Sequence, residues 1–160
     1  MKKSYYVAIL IAVIVMVMPP VQGFAGNKVL PIGTKDIQEM IASQDCPLFL
    51  VATAAWCGPC REELPVLNKL FHKYKDRGLK LVAVSMDIDL APMQRLVDKL
   101  ELIFPVYWAG EKMYGDFMLF GVPTILVVRD GKIQERIIGS RDETFLERKI
   151  TSLMTEACAP

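Results

Sequence analysis

The chain has 160 residues, with 19 Lys and Arg against 18 Asp and Glu, one His and four Cys, a length that suits one domain of ordinary size. Lys2 and Lys3 are the only charges before residue 24, so the remaining 137 residues carry a formal charge of −1 and lack the clustered basic excess that nucleic-acid binding requires. A hydrophobic content of 52% excludes low-complexity disorder, and the lack of an internal repeat argues against a solenoid.

Residues 1–25 have the layout of an export signal. Lys2 and Lys3 form a basic start, Val7–Met18 is unbroken apolar sequence, Pro19-Pro20 ends it, and small residues follow at Gly23, Ala25 and Gly26. As a helix the apolar run spans about 18 Å, short of the roughly 30 Å hydrocarbon core. Extending it from Tyr5 to Val21 gives about 25 Å. A cleaved signal peptide is expected, with an uncleaved membrane anchor over residues 5–21 as the alternative. Either way, residues 26–160 form a domain outside the cytoplasm. In a bacterial cell that means the periplasm or the outer face of the cytoplasmic membrane, where cysteines can be oxidised.

Thr34 is expected to cap a short helix with Asp36 in its first turn and Ile37, Met40 and Ile41 on one face, ended by Cys46-Pro47. Leu48–Thr53 is a continuous apolar run, suited to a central strand buried on both faces. After Cys57-Gly58-Pro59-Cys60, a helix over residues 59–76 carries the stripe Leu64, Leu67, Leu70, Phe71 and Tyr74, is kinked by Pro65, and stops at Gly78. Leu79–Ser85 is a second buried strand, followed by a loop at Asp87–Asp89. A helix is expected over Ala91–Leu102, then a short strand at Phe104–Trp108 and a helical turn or two within Lys112–Phe120. A turn at Gly121–Thr124 leads into a strand at Ile125–Arg129. Asp130-Gly131 predicts a hairpin returning along Lys132–Ile138. Ser140 with Glu143 reads as a capping box for a last helix over residues 141–156. The pattern is α/β, a mixed sheet with parallel inner strands and an antiparallel edge, flanked by helices.

The chemistry is concentrated in Trp56-Cys57-Gly58-Pro59-Cys60. A zinc site needs four ligands, and Cys46, His72 and Cys158 supply no second close pair, so no metal is expected. A purely structural bridge between cysteines three apart removes little loop entropy. A redox dithiol fits best, because a strand precedes the motif and a helix begins inside it. Cys57 then lies at a helix N-terminus, where free N–H groups and the macrodipole stabilise its thiolate. Pro59 fits the first turn without losing a hydrogen bond. Cys60 lies deeper, so Cys57 is the expected nucleophile and Cys60 the resolving thiol. The dithiol itself serves in place of any cofactor.

Ala55–Arg61 resembles the active-site motif of thioredoxin-fold oxidoreductases. Val122-Pro123-Thr124 resembles that family's cis-proline segment, Pro65 its helix proline, and Gly139 the glycine after its last strand. The 63 residues from Cys60 to Pro123 exceed what a plain thioredoxin uses. The surplus fits the helix and short strand read over residues 87–108, a central insertion that resembles the exported TlpA/ResA/CcmG branch, as do Cys60–Pro65 and Leu81–Asp87. The resemblance implies a thioredoxin-like fold and a protein-disulfide reductase, with a client held across Val122, Pro123 and Thr124 and contacted by Trp56, Gly58 and Pro59. It further implies a monomer with electrons from a membrane thiol transporter. The clients it implies carry cytochrome c haem-binding cysteines or the cysteines of copper sites. Gly58-Pro59 resembles the reducing members. Two alternatives stay open: a thiol oxidase or isomerase of secreted proteins, and a non-enzymatic metallochaperone-like assembly module.

Plain thioredoxins carry a buried Asp where this chain has Val51, and Glu63, one turn from Cys60, is the alternative proton acceptor. The Pro and Thr or Ser that precede a peroxidatic Cys in peroxiredoxins are Leu50 and Ala54 here, against a peroxidase. In a thioredoxin-like sheet Cys46 and Cys158 fall at the same end, and a bridge between them would close a loop of about 110 residues, worth up to roughly 4.7 kcal/mol. His72 reads as solvated, Met113 and Met118 as packing, and Trp108 with Tyr114 as lining a groove near the insertion.

Overall fold

The computed structural model describes residues 27–154. Its elements run β1 (Leu30–Pro31), α1 (Thr34–Ala42), β2 (Leu48–Thr53), α2 (Gly58–Tyr74), β3 (Lys80–Ser85), α3 (Leu90–Leu100), β4 (Val106–Trp108), α4 (Lys112–Asp116), β5 (Thr124–Arg129), β6 (Lys132–Ile138) and α5 (Glu143–Leu153). One six-stranded sheet has the order β1-β4-β3-β2-β5-β6. The first four strands in that order are parallel, and β5 and β6 join antiparallel.

The apolar run of β2 is explained by its central place, with all six residues buried. Because side chains alternate across a strand, Phe49 and Val51 enter a core with Leu64, Leu67 and Leu70 of α2, Val97 of α3 and Leu146 and Ile150 of α5. Leu48, Leu50 and Ala52 enter the opposite core, with Ile37 and Ile41 of α1 and Met113 of α4. Between β3 and β5 the chain folds as α3, β4 and α4, with β4 extending the sheet between β3 and β1. Among the described residues, no helix is long and apolar enough to cross a membrane. The export signal expected over residues 1–25, and Cys158 as the expected bridge partner of Cys46, lie outside the described residues.

Several boundaries move for local reasons. Thr34 is the first helical residue, not the cap; Gly33 precedes it, and its N–H donates to the Asp36 carboxylate at 3.0 Å. That helix ends at Ala42, ahead of Cys46-Pro47. The last helix is capped by Asp142, whose carboxylate accepts from the Phe145 N–H at 2.8 Å. Ser140 therefore stays in the loop; an acid at the helix start also complements the dipole. The helix read from Ala91 to Leu102 closes early, at Leu100, because Glu101 adopts a left-handed φ of 49°. Strand β1 was not expected, since two residues are too short for any periodicity. The Asp130-Gly131 hairpin forms as read, with φ of 53° and 71°. These are the positive values that a two-residue primed turn needs.

Candidate functional site

β2 delivers the chain to the N-terminus of α2, where Cys57 is the N-cap. Cys57 and Cys60 form a disulfide with Cα atoms 5.2 Å apart. The Cys57 Sγ also accepts from the Cys60 backbone N–H at 3.2 Å. One of the N–H groups that a helix start leaves unpaired is thus aimed at this sulfur, and the dipole adds to it. Pro59 stands in the first turn, where a missing N–H costs nothing. Cys57 is 5% exposed and Cys60 1%; Trp56 beside them is 63% exposed.

The opposite wall comes from β5. Its first residue, Thr124, is in register with Ala52 near the end of β2, which brings the preceding Val122-Pro123 alongside Cys57. That peptide bond is cis. The Val122 carbonyl oxygen lies 3.6 Å from the Cys57 Sγ. The loop is pinned from both sides: the Thr124 hydroxyl donates to the Gly121 carbonyl at 2.7 Å, and the Gly139 N–H donates to the Pro123 carbonyl at 2.9 Å. Gly139 has φ of 81°, a conformation glycine adopts without strain.

Glu63 is buried on α2, one turn beyond Cys60. One carboxylate oxygen accepts from the Arg141 N–H at 2.9 Å, while the other has no hydrogen-bond partner. Burial raises its pKa above the ordinary carboxylate value of 4.5, against the lowering effect of that hydrogen bond and of the Arg141 charge. Val51 is fully packed in the core, and of the two acids on this helix Glu63 is buried and Glu62 exposed. His72 is exposed. Trp108 and Tyr114 do not share a groove. Trp108 packs with the α2 side of the sheet and Tyr114 with the α1 side. Met113 is buried and Met118 exposed.

Sequence reasoning missed Asp87. Ser85 pairs in register with Thr53, so the residues just past β3 emerge beside the cysteine loop. The buried Asp87 carboxylate accepts from the Ala55 N–H through both oxygens, at 2.9 and 3.1 Å, and from the Ser85 hydroxyl at 2.7 Å. Its carbonyl accepts from the Trp108 indole at 2.7 Å. An acid directly after a buried strand was the available signal. Asp87→Ala strands the buried Ser85 hydroxyl and the part-buried Ala55 N–H, so a loss of about 2–4 kcal/mol is expected, read as a lower urea midpoint.

A four-stranded parallel sheet closed by an antiparallel hairpin, with a Cys-x-x-Cys disulfide capping a helix opposite a cis-proline, defines a thioredoxin-fold protein. The chain belongs to the redoxin family, whose family model, described as Redoxin, matches residues 24–153. It is 36% identical over 109 residues to the thiol-disulfide oxidoreductase ResA of Bacillus cereus, covering 65% of this chain and 63% of that one. It thus spans less than two thirds of the ResA relatives it matches. Against a thioredoxin of Listeria monocytogenes it is 32% identical over 119 residues, covering 72% of this chain and 94% of the other. Among solved structures, a candidate thiol:disulfide interchange protein DsbE from Chlorobium tepidum superposes with a TM-score of 0.64 at 27% identity, covering 73% and 84%. StoA from Bacillus subtilis superposes at 0.60 and 20% identity, covering 68% and 84%, a likeness of fold. The expected thioredoxin-like fold of the TlpA/ResA/CcmG kind is therefore correct.

Proposed function

We propose that this protein is an exported thiol-disulfide oxidoreductase that reduces disulfides of client proteins. The observation that carries the reading is the Cys57 sulfur, which receives the Cys60 N–H at the start of α2 and faces the cis-proline loop. In the reduced protein, that N–H and the helix dipole stabilise the Cys57 thiolate.

The thiolate attacks one sulfur of the client disulfide. A Cys57–client bond forms, the client bond breaks, and the departing client sulfur takes a proton. Cys60, deprotonated, then attacks the Cys57 sulfur. The mixed disulfide breaks and the second client sulfur leaves as a thiol. The protein dithiol has lost two electrons and two protons, and the client disulfide has gained both. The client backbone lies along Val122, Pro123 and Thr124, with Trp56, Gly58 and Pro59 against its side chains. Glu63 is the acceptor for the Cys60 proton.

Export is supported by the basic-then-apolar layout of residues 1–25. A membrane thiol donor returns the dithiol to its reduced form, with no other cofactor. The client classes remain those implied by the branch: haem-binding cysteines of cytochromes c and cysteines of copper sites. The test is the reduction potential of the Cys57–Cys60 couple, with insulin reduction as the activity. A potential near about −270 mV, and insulin reduction that Cys57→Ser abolishes, is expected. A potential near about −120 mV would make the protein an oxidant instead.

A further inference from the structure

We infer that a groove between the cysteine loop and α3 recognises acidic residues flanking the client disulfide; this rests on the oxidoreductase reading and names its substrate class. The groove has a volume of about 530 Å³ and begins at Ala55 and Trp56, the two residues before Cys57. Its apolar surface is Trp56 and Ile88, 63% and 75% exposed, with Pro92. Its cations are Arg61, in the first turn of α2, and Arg95 and Lys99 on α3. Arg95 and Lys99 are four apart, so both project from one face of that helix.

The charge balance decides what fits. Arg61, Arg95 and Lys99 are all exposed, and among the described residues none of them forms an ion pair. Two acids border the groove, Asp87 and Asp89. Asp87 is buried, with both oxygens committed to Ala55 and one also to Ser85. Only Asp89, at the start of α3, offsets the cations from an exposed position. Three uncommitted cations around an exposed tryptophan suit carboxylates interspersed with apolar side chains. The segment leading to the cis-proline differs: Met118 and Phe120, 69% and 88% exposed, are apolar. An extended client advances about 3.3 Å per residue, so residues two to four positions from its reacting cysteine reach the cationic groove.

The experiment uses the full chain, reduced beforehand and freed of reductant, in single-turnover reactions followed by acid quench and chromatography. Two peptides share one internal disulfide and differ only in carrying two Asp or two Lys at the flanking positions. The wild type should reduce the Asp peptide on the order of 10-fold faster at low salt, because rim charges act mainly on association. The ratio should fall toward one as salt shortens the Debye length. Arg95→Glu with Lys99→Glu should invert the ratio, and Arg95→Gln with Lys99→Gln should bring it near one. Equal wild-type rates on the two peptides, or a preference that survives the charge reversal, would overturn the inference. If the wild type reduces neither peptide nor hydroxyethyl disulfide, the oxidoreductase reading itself fails, and this inference with it.

Discussion

Cys60→Ser should convert the protein from a turnover enzyme into a covalent trap. The substitution keeps the backbone N–H that bonds the Cys57 sulfur at 3.2 Å, so the nucleophile retains its stabilising contact. What disappears is the resolving thiol, held a disulfide bond's length away in the oxidised protein with Cα atoms 5.2 Å apart. An intramolecular attack at that distance has a very large effective concentration. Without it, release of the client depends on external thiol, and steady-state disulfide reduction should fall by at least about 100-fold. The first attack should persist. On non-reducing gels the variant should carry client adducts that dithiothreitol removes. The same adducts should be missing when Cys57 is also changed to Ser. Adducts on Cys57→Ser but none on Cys60→Ser would reverse the roles of the two cysteines. No adducts on either variant would remove the client-reduction mechanism.

The parts of this site that could be read from sequence are those specified by local chemistry. The six apolar residues of β2 have no polar alternation because both faces of the strand are covered. Cys57, Pro59 and Cys60 announce a helix start because the N-terminal turn tolerates proline and favours an anion. Asp130-Gly131 marks a hairpin because few other pairs adopt two positive φ values. Asp87 and the cationic groove were not legible for the opposite reason. They are made by register: Ser85 beside Thr53, and α3 laid against the loop before Cys57. Trp108 and Tyr114 show the same limit. Six residues apart, they end on opposite faces of the sheet, because one lies on β4 and the other on the helix that crosses over after it. The capping residues were misplaced by one or two positions. Asp142 outcompetes the Ser140 hydroxyl as the acceptor for the Phe145 N–H, since a charged acceptor forms the stronger bond, whereas Gly33 stands at the first cap and Asp36 accepts from its N–H.

Glu63→Gln should raise stability at neutral and alkaline pH while altering the chemistry of the thiols. In the native protein burial holds the Glu63 pKa above 4.5. Between 4.5 and that raised value the folded state binds more protons at this position than the unfolded chain does. Stability contributed by this group is therefore lost as pH climbs through that window, and the loss is complete above the native pKa. Gln has the same shape and keeps an oxygen to accept the Arg141 N–H now bonded at 2.9 Å, yet it brings no charge into the core. The melting temperature of Glu63→Gln should exceed that of the wild type by on the order of 4 °C at pH 8, and the two curves should converge well below pH 4.5, where the wild-type carboxyl is neutral in both states. Proton acceptance makes a second demand that packing does not. A carboxylate one turn from Cys60 opposes its ionisation when charged and takes up its proton when the thiol reacts. The Cys60 titration, followed by thiolate absorbance or alkylation rate, should shift in Glu63→Gln, and release of a preformed mixed disulfide should slow while the first attack by Cys57 does not. A variant that melts higher but titrates and releases like the wild type would leave Glu63 as a buried acid with no part in proton transfer.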